Sequence, residues 1–180
     1  ETATGYRPLD RFPTERIAPT ECDNFYRKQQ LIGYVHDETA CFFGGVQGNA
    51  GLFSNANDLA KLCQMWLNKG TYGNERILSP KTIELFLTEK SSTSRRGLGF
   101  DKPDMENPEK SPTAIEASAS TIGHLGFTGT CFWIDPEQEL IYIFLCNRVY
   151  PSRTHGALSQ LNIRPELFST IYRSIKNHSK

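Results

Sequence analysis

Residues 123–148 read GHLGFTGTCFWIDPEQELIYIFLCNR, and the reading of this stretch decides the fold. Residues 130–135 and 139–146 are rich in aromatic and β-branched side chains, which suit a pleated, half-buried surface. Pro136, Glu137 and Gln138 separate the two runs, so the pattern predicts an antiparallel hairpin. The second arm is apolar from Leu140 to Cys146, which predicts a central strand covered on both faces. Upstream, Gly123, Gly126 and Gly129 lead with His124 into the hairpin. Glycine beside a strand marks close backbone approach by another chain or a ligand, and a histidine there projects over that approach. On composition alone the residues fit a β-bulge with a hydrogen-bonded histidine better.

A hairpin with apolar faces needs covering helices, and the flanking sequence supplies them. Pro165 opens an amphipathic helix whose Leu167, Phe168, Ile171, Tyr172 and Ile175 form one stripe, predicted to pack on the sheet. Ser54 to Asp58 offer capping side chains before Leu59, Leu62, Cys63, Trp66 and Leu67 recur at helical spacing, and Lys69-Gly70 stops the run. Ser79-Pro80 announces another helix with Ile83, Leu85 and Phe86 as its apolar face.

The remaining segments carry no periodic signal. Pro8, Pro13, Pro19 and five glycines between 33 and 51 give the first fifty residues the character of packed loop. Residues 91–120 are polar and Pro-bearing around the apolar island Gly97-Leu98-Gly99-Phe100, which predicts a long surface loop with one short strand. The segments are therefore 1–53 loop-rich, 54–90 helical, 91–121 surface loop with a short strand, 122–147 strand and hairpin, and 164–177 C-terminal helix. The fold class is α/β in the α+β sense, an antiparallel sheet flanked by helices. So few strands make an incomplete sheet.

The 180 residues carry 20 Lys+Arg against 20 Asp+Glu, so the basic excess that phosphate neutralisation needs is missing and nucleic acid is not an expected partner. No run approaches the roughly 20 apolar residues of a membrane span. The chain starts at Glu1 with neither Met nor a leader, so the natural N-terminus is expected to lie upstream. The five cysteines, Cys22, Cys41, Cys63, Cys131 and Cys146, include no C-x-x-C pair and read as buried free thiols. His36, His124, His155 and His178 show no metal-ligand spacing, so no metal and no cofactor is expected. His36-Asp37 reads as a surface hydrogen-bonding pair.

The common nucleophile motifs are missing. There is no G-x-S-x-G elbow, and no serine has a lysine three residues on: Ser54 meets Asn57, Ser79 meets Thr82, Ser120 meets Gly123 and Ser174 meets Asn177. Tyr72-Gly73-Asn74 has the letters of Y-x-N but lies between two helices, where Gly-Asn is ordinary turn chemistry.

The run at 123–148 resembles the C-terminal core of the penicillin-recognising serine hydrolases, the β-lactamases, D,D-peptidases and class C-like esterases. His124-Leu125-Gly126 occupies the place of that family's K-T-G motif on the edge strand lining the active site. H-x-G in place of K-T-G leans toward the esterase or peptidase branch. Residues 16–70, RIAPTECDNFYRKQQLIGYVHDETACFFGGVQGNAGLFSNANDLAKLCQMWLNKG, are similar to the segment after the family's catalytic tyrosine. The nearest likeness is the domain that follows a family-3 glycoside hydrolase (β-N-acetylglucosaminidase-type) in Bacteroidetes, although Asn49 stands where that group commonly has a histidine.

The resemblance implies the C-terminal part of the serine β-lactamase/D,D-peptidase fold. It implies an acyl-enzyme mechanism in which a lysine-activated serine attacks an ester or amide carbonyl. The serine, its lysine and the tyrosine would lie upstream of Glu1, so the 180 residues alone are expected to be inactive. The Phe127 N–H would be the second oxyanion donor, His124 would orient substrate or polarise the site, and Gly126 would let a substrate backbone lie close. The expected partners are a small-molecule or peptidoglycan-derived ester or amide, and the N-terminal half of the domain or a second copy. The resemblance favours a periplasmic or cell-envelope setting. The alternative is a non-catalytic β-lactamase-like module attached to a glycoside hydrolase. Upstream S-x-x-K and Y-x-N would separate the two.

Overall fold

The computed structural model describes residues 2–88 and 91–178, which leaves residues 1, 89, 90, 179 and 180, and the segment limits that fall on them, outside the described residues. After two 3-10 turns, Pro8–Asp10 and Thr14–Arg16, the order is β1 (Pro19–Asp23), β2 (Gln29–Ile32), α1 (Glu38–Phe42), α2 (Ala56–Leu67), β3 (Thr71–Tyr72), β4 (Glu75–Arg76) and α3 (Pro80–Thr88). A third 3-10 turn, Pro108–Lys110, precedes β5 (Ile122–Leu125), β6 (Cys131–Asp135), β7 (Leu140–Phe144), α4 (Ala157–Gln160) and α5 (Ile163–His178).

The sheet order is β5-β6-β7, both pairs antiparallel, with Phe132 opposite both His124 and Ile143. Alternation along the strands gives each face its own core. On one face Cys131, Trp133 and Tyr142 pack with Phe168 and Tyr172 of α5 and with Ala114 and Ala117. The Tyr142 and Phe168 rings stack at 4.4 Å. On the other, Ile122 and Ile134 pack with Cys63 of α2 and Phe100, and Trp66, Ile141 and Ile143 close around them.

The predicted hairpin is present, and Asp135 organises its turn. Its carboxylate accepts from Glu137 N at 3.0 Å, Ser118 Oγ at 2.7 Å and Tyr172 Oη at 2.5 Å, joining the turn to α5 and to the preceding loop. Burial works to raise the Asp135 pKa, but the Tyr172 and Ser118 bonds outweigh it and hold the carboxyl below its ordinary value.

Both announced helices have their caps. Asn55 accepts from Asp58 N at 2.9 Å and Ser79 Oγ from Thr82 N at 3.0 Å. α2 ends where Gly70 takes φ 92°, and a Cβ there would press on the Leu78 backbone. Tyr72-Gly73-Asn74 is the turn of the β3–β4 hairpin.

Several expectations need correction. β7 is covered on both faces but is an edge strand of the three-stranded sheet, because β6 occupies the centre. Only Phe168 and Tyr172 of the α5 stripe are buried; Leu167, Ile171 and Ile175 face outward, since three strands are narrower than a five-residue stripe. Leu85 of α3 and Leu62 of α2 are likewise exposed. The loop reading of the first fifty residues misses the β1–β2 hairpin and the single turn of α1. Residues 91–121 are the expected irregular segment and are largely exposed at 91–99 and 105–110, but Phe100, Ser111, Thr113, Ala114, Ala117 and Thr121 are buried, and among the described residues of this segment the expected short strand is reduced to an isolated bridge from Asp101 to Gly123. Of the cysteines, all free, Cys63 and Cys131 are buried, whereas Cys22, Cys41 and Cys146 are only partly so.

Candidate functional site

β5 pairs through one edge with β6, and beyond the Asp101 bridge at Gly123 its other edge has no strand partner among the described residues. Gly123 is needed for internal packing: a Cβ there would drive into the Trp133 ring, 2.8 Å from Cδ2, and into the Phe132 carbonyl. His124 is partly exposed, stands on the Phe132 side of the sheet by register, and its Nδ1 lies 2.8 Å from the Leu125 carbonyl.

The strand then turns sharply. Gly126 N donates to Thr130 O at 2.7 Å and Gly129 N to Gly126 O at 3.0 Å. These bonds fix residues 126–130 and leave the Phe127 N–H without a backbone acceptor among the described residues. A Cβ at Gly126 would meet Thr130 Oγ1 of the same turn, so this glycine serves the turn's own closure. Gly129 takes φ 113°, with the Cβ position only 2.6 Å from Cys146 Sγ. Arg148 braces the turn: its Nε donates to Phe127 O at 2.8 Å, and its guanidinium carbon lies 4.4 Å from the Phe127 ring centroid.

A second polar system lies beside this turn. Arg153 donates through Nε and Nη2 to the two Glu21 oxygens, each at 2.8 Å, and through Nη1 to Glu38 at 2.7 Å. His36 Nε2 stands 3.1 Å from Glu21 Oε2 without hydrogen-bond alignment, and the His36 ring lies 5.2 Å from that of Phe127. Next to it, Asp23 accepts from the Phe25, Tyr26 and Arg27 amides and from Arg27 Nε, while Arg27 also donates to the Val35 and His36 carbonyls.

The charges are matched to their surroundings. The Arg153 bonds hold the Glu21 and Glu38 carboxyls below their ordinary values. Burial pushes the His36 pKa down, with Glu21 opposing, so the ring is neutral near pH 7. Burial raises the Cys131 thiol to about 12, which removes it as a nucleophile at neutral pH.

His124, Gly126 and Phe127 thus occupy one continuous strand end and turn. The surface reading of His36-Asp37 is corrected: His36 is buried, and Asp37 caps α1 by accepting from Ala40 N at 2.7 Å. The Glu21–Arg153 pair beside His36 escapes sequence reasoning because 132 positions separate its members and no local pattern joins them. Among the described residues no group of three or more His, Cys, Asp or Glu side chains is placed to hold a metal ion, and no helix is long and apolar enough to cross a membrane.

The family model described as Beta-lactamase matches residues 1–163. A protein of Escherichia coli (strain K12) named "Putative D-alanyl-D-alanine carboxypeptidase" is 34% identical over 182 residues, covering 94% of this chain and 40% of its own length. A protein of the same name from Salmonella paratyphi B is 38% identical over 144 residues, covering 79% of this chain and 32% of its own. The chain therefore spans well under half the length of these relatives. A solved structure of a "putative beta-lactamase" from Bacteroides dorei aligns over 66% of this chain and 41% of its own, at 18% identity and a TM-score of 0.42.

Proposed function

The chain belongs to the Beta-lactamase family, and from that premise we propose that it supplies the substrate strand of a serine hydrolase acting on a D-alanyl peptide of peptidoglycan or a related ester or amide. The observation that carries the reading is the end of β5. There an open strand edge runs into a turn that fixes the Phe127 peptide and leaves its N–H unpaired among the described residues. A preorganised donor of this kind stabilises the oxyanion of a tetrahedral intermediate without reorganising as the reaction proceeds.

In this reading a serine followed by x-x-Lys, outside these residues, attacks the carbonyl. The acyl-enzyme that forms is then released by water. The Phe127 N–H and the serine's own N–H hold the oxyanion, and His124 orients the substrate at the strand edge. Gly126 acts through the shape of the turn. The peptide substrate rests on the D-alanyl-D-alanine carboxypeptidase names of the relatives, and the edge of β7 that has no strand partner among the described residues is where another segment of the domain or a second copy would add a strand.

The test is incubation of the full-length natural protein with a fluorescent penicillin and with a D-alanyl-D-alanine peptide, followed by mapping of the acylated residue. The expected result is one labelled serine outside residues 1–180, with release of D-alanine. His124→Ala should lower kcat roughly ten- to hundredfold, the range that misplacement of a substrate costs, with an unchanged melting temperature. Neither label nor D-alanine would replace this reading with that of a non-catalytic module, such as a glycoside-hydrolase companion. A label on a serine within these residues would show the nucleophile to be misplaced.

A further inference from the structure

Resting on the reading of Phe127 as an oxyanion donor, we propose that His36 is a positioning residue for that donor: its buried ring backs the Phe127 side chain, and the Glu21 carboxylate, fixed by Arg153, stands against its Nε2 edge. The contrast in exposure carries the argument. Phe127 is 64% exposed, so its ring adds little to the core, whereas His36 is 8% exposed and anchored in a charged network. The rings meet at 5.2 Å and 35°. The guanidinium of Arg148 also lies over the Phe127 ring, and its Nε holds the Phe127 carbonyl. These contacts act on an exposed side chain, and their effect falls on where residues 126–130 sit.

The supports of His36 come from several elements far apart in sequence. Glu21 belongs to β1, Glu38 to α1, Arg153 to the segment before α4, and Arg27, on the β1–β2 turn, holds the His36 carbonyl. The bidentate Arg153–Glu21 pair fixes the carboxylate as a plane, so the Nε2 edge of His36 faces a rigid partner. Replacing His36 by Phe keeps a ring against Phe127 and leaves Glu21 paired with Arg153, which separates the ring contact from the charge network.

The test uses the full-length protein with His36→Ala, His36→Phe, Phe127→Ala and the double variant His36→Ala/Phe127→Ala. Its first readout is amide hydrogen exchange at Gly126 and Gly129, whose N–H groups close the turn and need no turnover to be measured. His36→Ala should speed that exchange by about two- to tenfold, the weight of one aromatic contact, without changing exchange in β6 and β7. His36→Phe should restore the wild-type rates. If His36→Ala does not fold, Phe127→Ala removes the same contact from an exposed position and should show the same increase.

The second readout is kinetic. His36→Ala should lower kcat with KM within about twofold, and the double variant should be no slower than Phe127→Ala alone, as expected for residues acting through one contact. Wild-type exchange at Gly126 and Gly129 in both single Ala variants of an active enzyme would overturn the His36 assignment and leave the hydrolase reading standing. A wild-type protein with no turnover would overturn the hydrolase reading, and with it the catalytic meaning of the contact.

Discussion

Glu21 is a carboxylate in a place where burial alone would favour its neutral form, and the bidentate guanidinium of Arg153 reverses that preference. Removing one partner of such a pair leaves a buried charge uncompensated, so Arg153→Ala should destabilise the fold by about 3 kcal/mol in urea unfolding. Disrupting the exposed Arg7–Asp10 pair should cost no more than about 1 kcal/mol. His36 adds a pH dependence of definite sign. Burial depresses its folded pKa below the ordinary 6.5, so on acidification the unfolded chain takes up the proton first. Stability is then complete above about pH 6.5 and falls as the pH drops through the folded pKa. The depressed carboxyls of Glu21 and Glu38 add further loss below their ordinary 4.5. His36→Phe should flatten the first limb of a stability-against-pH curve and leave the second. An unchanged curve would show that His36 titrates alike in both states.

α5 shows how an amphipathic helix divides its work. Phe168 stacks on Tyr142 and is fully buried, whereas Leu167, one position away, is 43% exposed. Phe168→Ala should cost about 3–5 kcal/mol and Leu167→Ala under about 1 kcal/mol, read from denaturant midpoints. The helical period of residues 167–175 marks which side chains share a stripe, but the width of the sheet decides how many are covered. The β6–β7 hairpin, α2 and α3 are legible because β-branched runs, caps and the Ser79-Pro80 start are local signals. The β1–β2 hairpin is not, because polar Thr20, Glu21 and Asp23 fill its buried positions, Asp23 satisfied by the turn at residues 25–27 and Glu21 by distant Arg153, so hydropathy does not alternate there. The 91–121 stretch misleads in part for a related reason: apart from Phe100, which the apolar island marks, its core contacts are made by small residues, Ala114 and Ala117, inside a polar composition.

At the scale of the molecule, β7 has no strand partner on one edge among the described residues, and large side chains such as Phe42, at 78% exposure, together with Phe25 and Phe43, stand in solvent around β1, β2 and α1. The strand end that carries His124, Gly126 and Phe127 was legible from its glycines and their place before the hairpin. The polar system behind it was not, since it is assembled only when the loop after β2 meets the segment after β7. The central claim is that an acyl group lies along β5 with its oxyanion on the Phe127 N–H. The most direct measurement is a crystal structure of the full-length protein with an aryl boronic acid, which captures a tetrahedral adduct on an active serine. The predicted result is a boronate oxygen about 2.9 Å from Phe127 N, with the inhibitor beside the open edge of β5. An adduct whose oxygens face other donors, with no ligand atom along residues 124–127, would contradict it.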